Sequence, residues 1–132
     1  MLNGGILHPQ IARVFAETGH LDTIVVSDAG LPVPVGVERI DLAWKPNEPA
    51  FLAVLAEVLL HIVVEKVILA NEIKQVSPEI HEQILKLLPK DLPIEYVPHV
   101  NFKERTKNAR AIIRTGEFTP YPSIILVAGC AY

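Results

Sequence analysis

Four side chains in this 132-residue sequence are suited to moving protons around a neutral molecule: His20, Asp28, His99 and Tyr121. They lie far apart along the chain, in "AETGH", "IVVSDAG", "EYVPH" and "GEFTPYPS". Imidazole is the ordinary proton carrier near neutral pH. A carboxylate can receive a hydroxyl or hold an imidazole in one tautomer. A phenol flanked by prolines sits on a restricted backbone, yet offers both a ring face and a polar handle. A neutral polyol needs that combination: an apolar face and hydrogen bonds at fixed positions. Each residue also has a plainer role. His20 can be a surface histidine near a helix C-terminus, Asp28 can bond its own turn, and His99 can bond solvent. In "RTGEFTPYPS", Gly116 and Pro120 can serve a turn while Phe118 packs in a core, which leaves Tyr121 poorly explained. His8 reads as a cap neighbour, and His61 and His81 as structural.

Other chemistries lack their signatures. No HExxH, CxxC or close histidine pair exists, so no metal site is expected. The glycine-bearing pieces match neither GxGxxG nor GxxxxGK[ST], which removes the usual phosphate cradle. Ser27 and Ser123 stand outside any GxSxG elbow. The net charge is -3 and no basic run occurs, so neither nucleic acid nor polybasic membrane docking is expected. The longest apolar stretch, "FLAVLAEVLLHIVV", is broken by Glu57 and His61 and is too short to span a bilayer. "MLNGGILHPQ" does not read as a signal peptide. The lone Cys130 excludes an intrachain disulfide, points to a reducing cytoplasm, and is expected as a small buried hydrophobe.

The elements that must position these residues alternate along the chain. Hydrophobic residues make up 50% and charged residues 20%, enough for one globular domain over residues 1–132. Pro9 opens a helix that places Ile11, Val14 and Phe15 on one face and stops at Gly19. "DTIVVS" reads as a strand, and a short second one is expected around Glu38 to Leu42. Asn47 is the expected N-cap of the strongest helix, which carries Leu52, Leu55, Val58, Leu59 and Ile62. "VEKVILANEI" is a strand, Ser77 and Pro78 open a helix ending before Pro89, and "PIEYVPH" is another strand. "NFKERTKNA" is a short helix or turn, followed by strands in "ARAIIRTGE" and "PSIILVAGC". This alternation predicts a three-layer α/β/α fold with a mixed, mainly parallel central sheet. "VVSD", "ILANE", "YVPH" and "IIRTGE" each end a strand in polar residues, hinting at one rim-like site. His20 and Asp28 flank one strand and so fall at its opposite ends.

Taken together, "GILHPQIARVFAETGH", "TIVVSDAGLPVP", "AEVLLHIVVEKVILANEI", "IEYVPHVNFKERTKNARAIIR" and "AIIRTGEFTPY" resemble the D-ribose pyranase family, relatives of the fucose mutarotases, over essentially the whole length. The resemblance implies a cytoplasmic, cofactor-independent isomerase that interconverts β-pyranose and β-furanose D-ribose. It also implies a homodecamer of two stacked pentameric rings with sites assembled between subunits. Carried over by position, His20 is the catalytic acid. Asp28 and His99 bind sugar, Tyr121, Pro122 and Ser123 form a binding stretch, and Lys103 stands as a helper. Ser123 departs from the family's usual Asn and has a shorter reach, while Pro122 removes a backbone donor. A fucose-type or other sugar mutarotase, or a non-catalytic sugar-binding module, are the alternative readings.

Overall fold

Proline at the first helical position and an acceptor just before it begin the first element, α1 (Pro9–Glu17), in the computed structural model of residues 1–132. His8 is itself the N-cap: its Nδ1 accepts from the Ile11 amide at 3.4 Å. α1 buries Ile11 and Val14. The strands follow as β1 (Thr23–Ser27), β2 (Glu38–Asp41), β3 (Val64–Ala70), β4 (Ile94–Val97), β5 (Ala111–Arg114) and β6 (Ile124–Ala128). Between them lie α2 (Phe51–His61), the single turn α3 (Ile73–Val76), α4 (Pro78–Leu87) and α5 (His99–Thr106).

The six strands form one sheet in the order β2-β5-β1-β6-β3-β4. β2, β5 and β1 pair in parallel, as do β3 and β4, while β6 runs antiparallel between β1 and β3. The sheet is therefore mixed and mainly parallel, with helices on both faces. The apolar runs in the strands split between those faces because successive side chains alternate. Ile24, Val26, Val67, Leu69, Ile124 and Leu126 pack under α1, α2, α3 and α4. Val25, Ile68, Ile112 and Ile125 face the other side, covered by Phe102 of α5 and by Leu31. Burying both faces explains why the central strands read as continuous apolar segments.

Three local expectations change. Asn47 is not the cap of α2: Ala50 holds that position without a side-chain bond, and Asn47 sits in a turn at φ 62°. The first α2 amide, that of Phe51, is met instead by Oε1 of Glu117 at 3.0 Å, from a loop distant in sequence. Phe118 is not in the core but 62% exposed, and Cys130 is exposed as well. Both lie beyond the ends of the sheet, where no second layer covers them: Phe118 in the loop after β5 and Cys130 past the end of β6. No helix is long and apolar enough to cross a membrane.

Candidate active site

Parallel strands end on a common rim, and β6 begins on that same rim because it runs the other way. Asp28 follows β1, Glu72 follows β3, His99 follows β4, Arg114 ends β5, and Tyr121 to Ser123 lead into β6. The result is an open cleft of about 620 Å³ whose wall includes Asp28, His99, Arg114, Glu117 and Tyr121.

Each side chain is held by identifiable local structure. Oδ1 of Asp28 accepts from the amides of Gly30 and Leu31 at 2.9 and 2.8 Å, the turn that the sequence suggests. Burial pushes its carboxyl above the ordinary value, against the amides of Gly30, Leu31 and Tyr121 and the neighbouring His99. The Asp28 amide donates to Oγ of Ser123 at 3.1 Å, and Ser123 is buried. The Ser123 hydroxyl thus ties two loops of the site together. Pro122 is also buried and is bridged by a bond from the Ser123 amide to the Tyr121 carbonyl at 2.7 Å. Tyr121 adopts φ 75°. A left-handed backbone disfavours a bulky side chain by about 1–2 kcal/mol, so the surrounding bonds must hold it.

Those bonds come from the "GEFTP" stretch. Gly116 lies against the Glu48–Pro49 peptide, its amide donating to the Pro49 carbonyl at 2.9 Å, and its carbonyl accepts from the Asn47 amide at 2.6 Å. Oδ1 of Asn47 receives the Phe118 amide at 3.0 Å. The buried Glu117 spends Oε1 on α2 and Oε2 on Thr119, whose hydroxyl donates at 2.8 Å. Its carbonyl accepts from the Ala29 amide at 2.9 Å, beside Asp28. Ser77 is the N-cap residue of α4, as expected, but its hydroxyl makes no cap bond and donates to the Pro120 carbonyl at 2.7 Å.

His99 opens α5. Its ring meets Tyr121 edge-on, with centroids 5.0 Å apart, and stacks on Phe102 at 6.3 Å. Nδ1 is buried without a hydrogen-bond partner. Burial lowers the proton affinity of the imidazole and the Lys103 ammonium lowers it further, while Glu72 and Asp28 pull the other way. Lys103 lies one helical turn beyond His99 on α5, half-buried and outside the cleft wall. Three further residues escape the sequence reading: Arg114 and Glu117 in the cleft wall, and Glu72 outside it as support for His99. Arg114 lines the cleft, with Nε donating to the Ala29 carbonyl at 3.0 Å and Nη1 to both oxygens of Asp41 at 3.0 Å. Glu72 receives the His99 amide on both carboxylate oxygens. "IIRTGE" and "ILANE" contain the only signal for them, as polar residues at strand ends.

His20 is elsewhere. It precedes β1, and β1 spans roughly 16 Å, so within one chain it lies at the opposite end of the sheet from Asp28. It is about half exposed, and its Nε2 is 2.9 Å from Oε2 of Glu65. The exposed Leu21 adjoins it in sequence, and the Leu21 amide is bonded to the Ala128 carbonyl at 2.9 Å. No three His, Cys, Asp or Glu side chains converge as a metal centre requires. The single-chain cleft can therefore grip hydroxyls with Asp28, His99 and Tyr121, but holds no contribution from its own His20.

Known proteins share both the sequence and the fold of this chain. The chain is similar to proteins named D-ribose pyranase from Laribacter hongkongensis, at 49% identity over 132 residues, and from Exiguobacterium sibiricum, at 50% over 132 residues. Each alignment covers 100% of both chains. Among solved structures it matches Bacillus subtilis RbsD complexed with D-ribose, with a TM-score of 0.96, 48% identity and 100% coverage of both chains. A fucose mutarotase from Streptococcus pneumoniae in complex with L-fucose shares the fold, at a TM-score of 0.80 and 23% identity, over 99% of this chain and 100% of that one. Residues 1–131 match the model of one family. This chain belongs to the RbsD / FucU transport protein family.

Proposed function

We propose that the protein, acting as one unit over residues 1–132, is a cofactor-independent isomerase that exchanges the β-pyranose and β-furanose forms of D-ribose. The observation that carries this reading is the convergence of Asp28, His99 and Tyr121 in one cleft, on a chain about half identical to D-ribose pyranases over its full length. Exchange must pass through ring opening. The anomeric hydroxyl loses a proton as the ring oxygen gains one, and a different sugar hydroxyl then closes the new ring. Asp28, His99 and Tyr121 hold hydroxyls from the cleft wall. Pro122 and Ser123 shape the stretch behind Tyr121, and Lys103 tunes His99 through its charge.

In this reading His20 protonates the ring oxygen, and reaches the cleft from a neighbouring copy. Its exposure and its separation from its own chain's cleft support that arrangement. So do apolar side chains left open in a single chain, among them Leu21 at 61%, Phe118 at 62% and Val100 at 67% exposure. The proposed assembly is a decamer of two pentameric rings, in the cytoplasm, where an exposed thiol such as Cys130 stays reduced. Saturation-transfer NMR on ribose tests the reaction: accelerated pyranose–furanose exchange is expected. Anomer exchange on fucose alone, or ribose binding without exchange, would overturn it in favour of a mutarotase or a binding module.

A further inference from the structure

α5 has no N-terminal cap of its own. Its N-cap residue is Pro98, which makes no side-chain bond, and no acidic residue lies in its first turn. The missing acceptor comes from the end of β3, where Glu72 takes the His99 amide on its two oxygens at 3.0 and 2.9 Å. The same two loops are tied again by the Asn71 amide, which donates to the Val97 carbonyl at 2.7 Å. A helix opening held in this way also fixes the side chain of its first residue, and that residue is His99.

We propose that Glu72 is a positioning residue for sugar binding: by gripping the first amide of α5, it sets the His99 imidazole against Tyr121 at the cleft. The inference rests on reading the cleft as a ribose site. It differs from that reading in assigning a role to a side chain that does not line the cleft. The imidazole lies against the Tyr121 and Phe102 rings, and the charges of Lys103, Glu72 and Asp28 act on it. Of these, Glu72 and Asp28 favour the imidazolium and Lys103 opposes it. Glu72 therefore acts in two separable ways. Its oxygens hold the backbone, and its charge supports proton uptake by His99. An amide in its place keeps an acceptor but loses the charge, and a methyl group loses both.

Glu72→Ala and Glu72→Gln separate these contributions when ribose affinity is measured by calorimetry and the His99 imidazole is titrated by NMR. A free helix end leaves the binding-competent arrangement only partly populated, so Glu72→Ala is expected to weaken ribose binding about fivefold, the worth of an N-cap. Glu72→Gln should recover most of that affinity. In both variants the His99 titration should move to lower pH. Wild-type affinity in Glu72→Ala overturns the proposal. Should that variant fail to fold, Glu72→Gln, which keeps the acceptor, carries the test alone: a loss of ribose affinity of about fivefold or more in it overturns the grip as the source of the effect. Absence of ribose binding by the wild-type protein refutes the ribose reading instead, and leaves the titration shift as a measurable property of Glu72.

Discussion

Replacing Gly116 by alanine tests how the site loop is anchored. A Cβ at this position would lie 2.4 Å from the Glu48 carbonyl oxygen and 2.7 Å from both its carbonyl carbon and its nitrogen. All three are backbone atoms, so no rotamer change removes the overlap. Carbon needs roughly 3.5 Å of separation, so the two strands of loop must part by about 1 Å. That movement stretches the Gly116–Pro49 and Asn47–Gly116 hydrogen bonds, now 2.9 and 2.6 Å, beyond useful length. Losing two partly buried bonds at about 1 kcal/mol each, with about 1 kcal/mol for the overlap itself, gives roughly 3 kcal/mol of destabilisation. Urea unfolding at fixed protein concentration measures it, since association would otherwise shift the midpoint. Ribose affinity should fall in the same variant, because the displaced loop carries Tyr121. A loss of stability below about 1 kcal/mol with unchanged affinity would refute the close-packing argument.

His20→Ala should lower ribose exchange by roughly 10²- to 10⁴-fold, the worth of a positioned general acid, without changing the mass measured by light scattering; wild-type exchange would remove His20 from the mechanism. Mixed assemblies of His20→Ala and Asp28→Asn copies should regain exchange that neither variant has alone, because some sites then combine the intact residue of each, and failure to regain it argues against a shared site. Tyr121→Phe should weaken ribose binding about fivefold while leaving stability within about 0.5 kcal/mol, since only a hydroxyl is lost; equal affinity by calorimetry would end its ligand role. His81 and His99 both hold protons less tightly when folded than at the ordinary value of 6.5, chiefly through burial. The unfolded chain therefore takes up protons that the folded chain refuses, and stability should fall as pH drops from about that value. Asp28 has the opposite sign: its raised proton affinity means its contribution is greatest below the ordinary 3.8 and declines as pH rises above it. Unfolding midpoints near pH 5 and pH 7 should differ less in His99→Gln than in the wild type, and an equal difference would refute the assignment.

The rim was legible in the sequence because two simple patterns coincide there. Apolar strands of similar length each end in a polar residue, and right-handed parallel connections bring such ends to one side. Asp28 and His99 could therefore be placed on one rim from pattern alone, whereas Tyr121 joined them only through the family resemblance. The support behind them was not legible. Glu117 caps a helix that begins 66 positions earlier in the chain, and Glu72 caps one that begins 27 positions later. Nothing in local spacing distinguishes such carboxylates from ordinary surface ones. The same limit misassigned Asn47, whose type and position suit a cap but whose side chain serves the Phe118 amide. Phe118 and Cys130 were expected inside because hydrophobicity predicts burial of a residue type, whereas burial at the ends of a sheet depends on what else covers them.

The antiparallel β6 also decides the order in which the molecule can be completed. It leaves the ribosome after the other five strands of the sheet, yet it is the only strand that joins the β2-β5-β1 block to the β3-β4 block. Until it inserts, the nascent polypeptide carries two half-sheets whose inner edges, β1 and β3, are open and strongly apolar, a condition that invites pairing with other chains. Its insertion closes both edges in one event and draws Tyr121, directly upstream, onto the rim beside Asp28. The cleft is thus completed only when β6 pairs, and a polypeptide stopped short of Ile124 is expected to aggregate rather than persist as a weakened sugar binder. A soluble, ribose-binding product of that length, detected by gel filtration and calorimetry, would contradict this dependence.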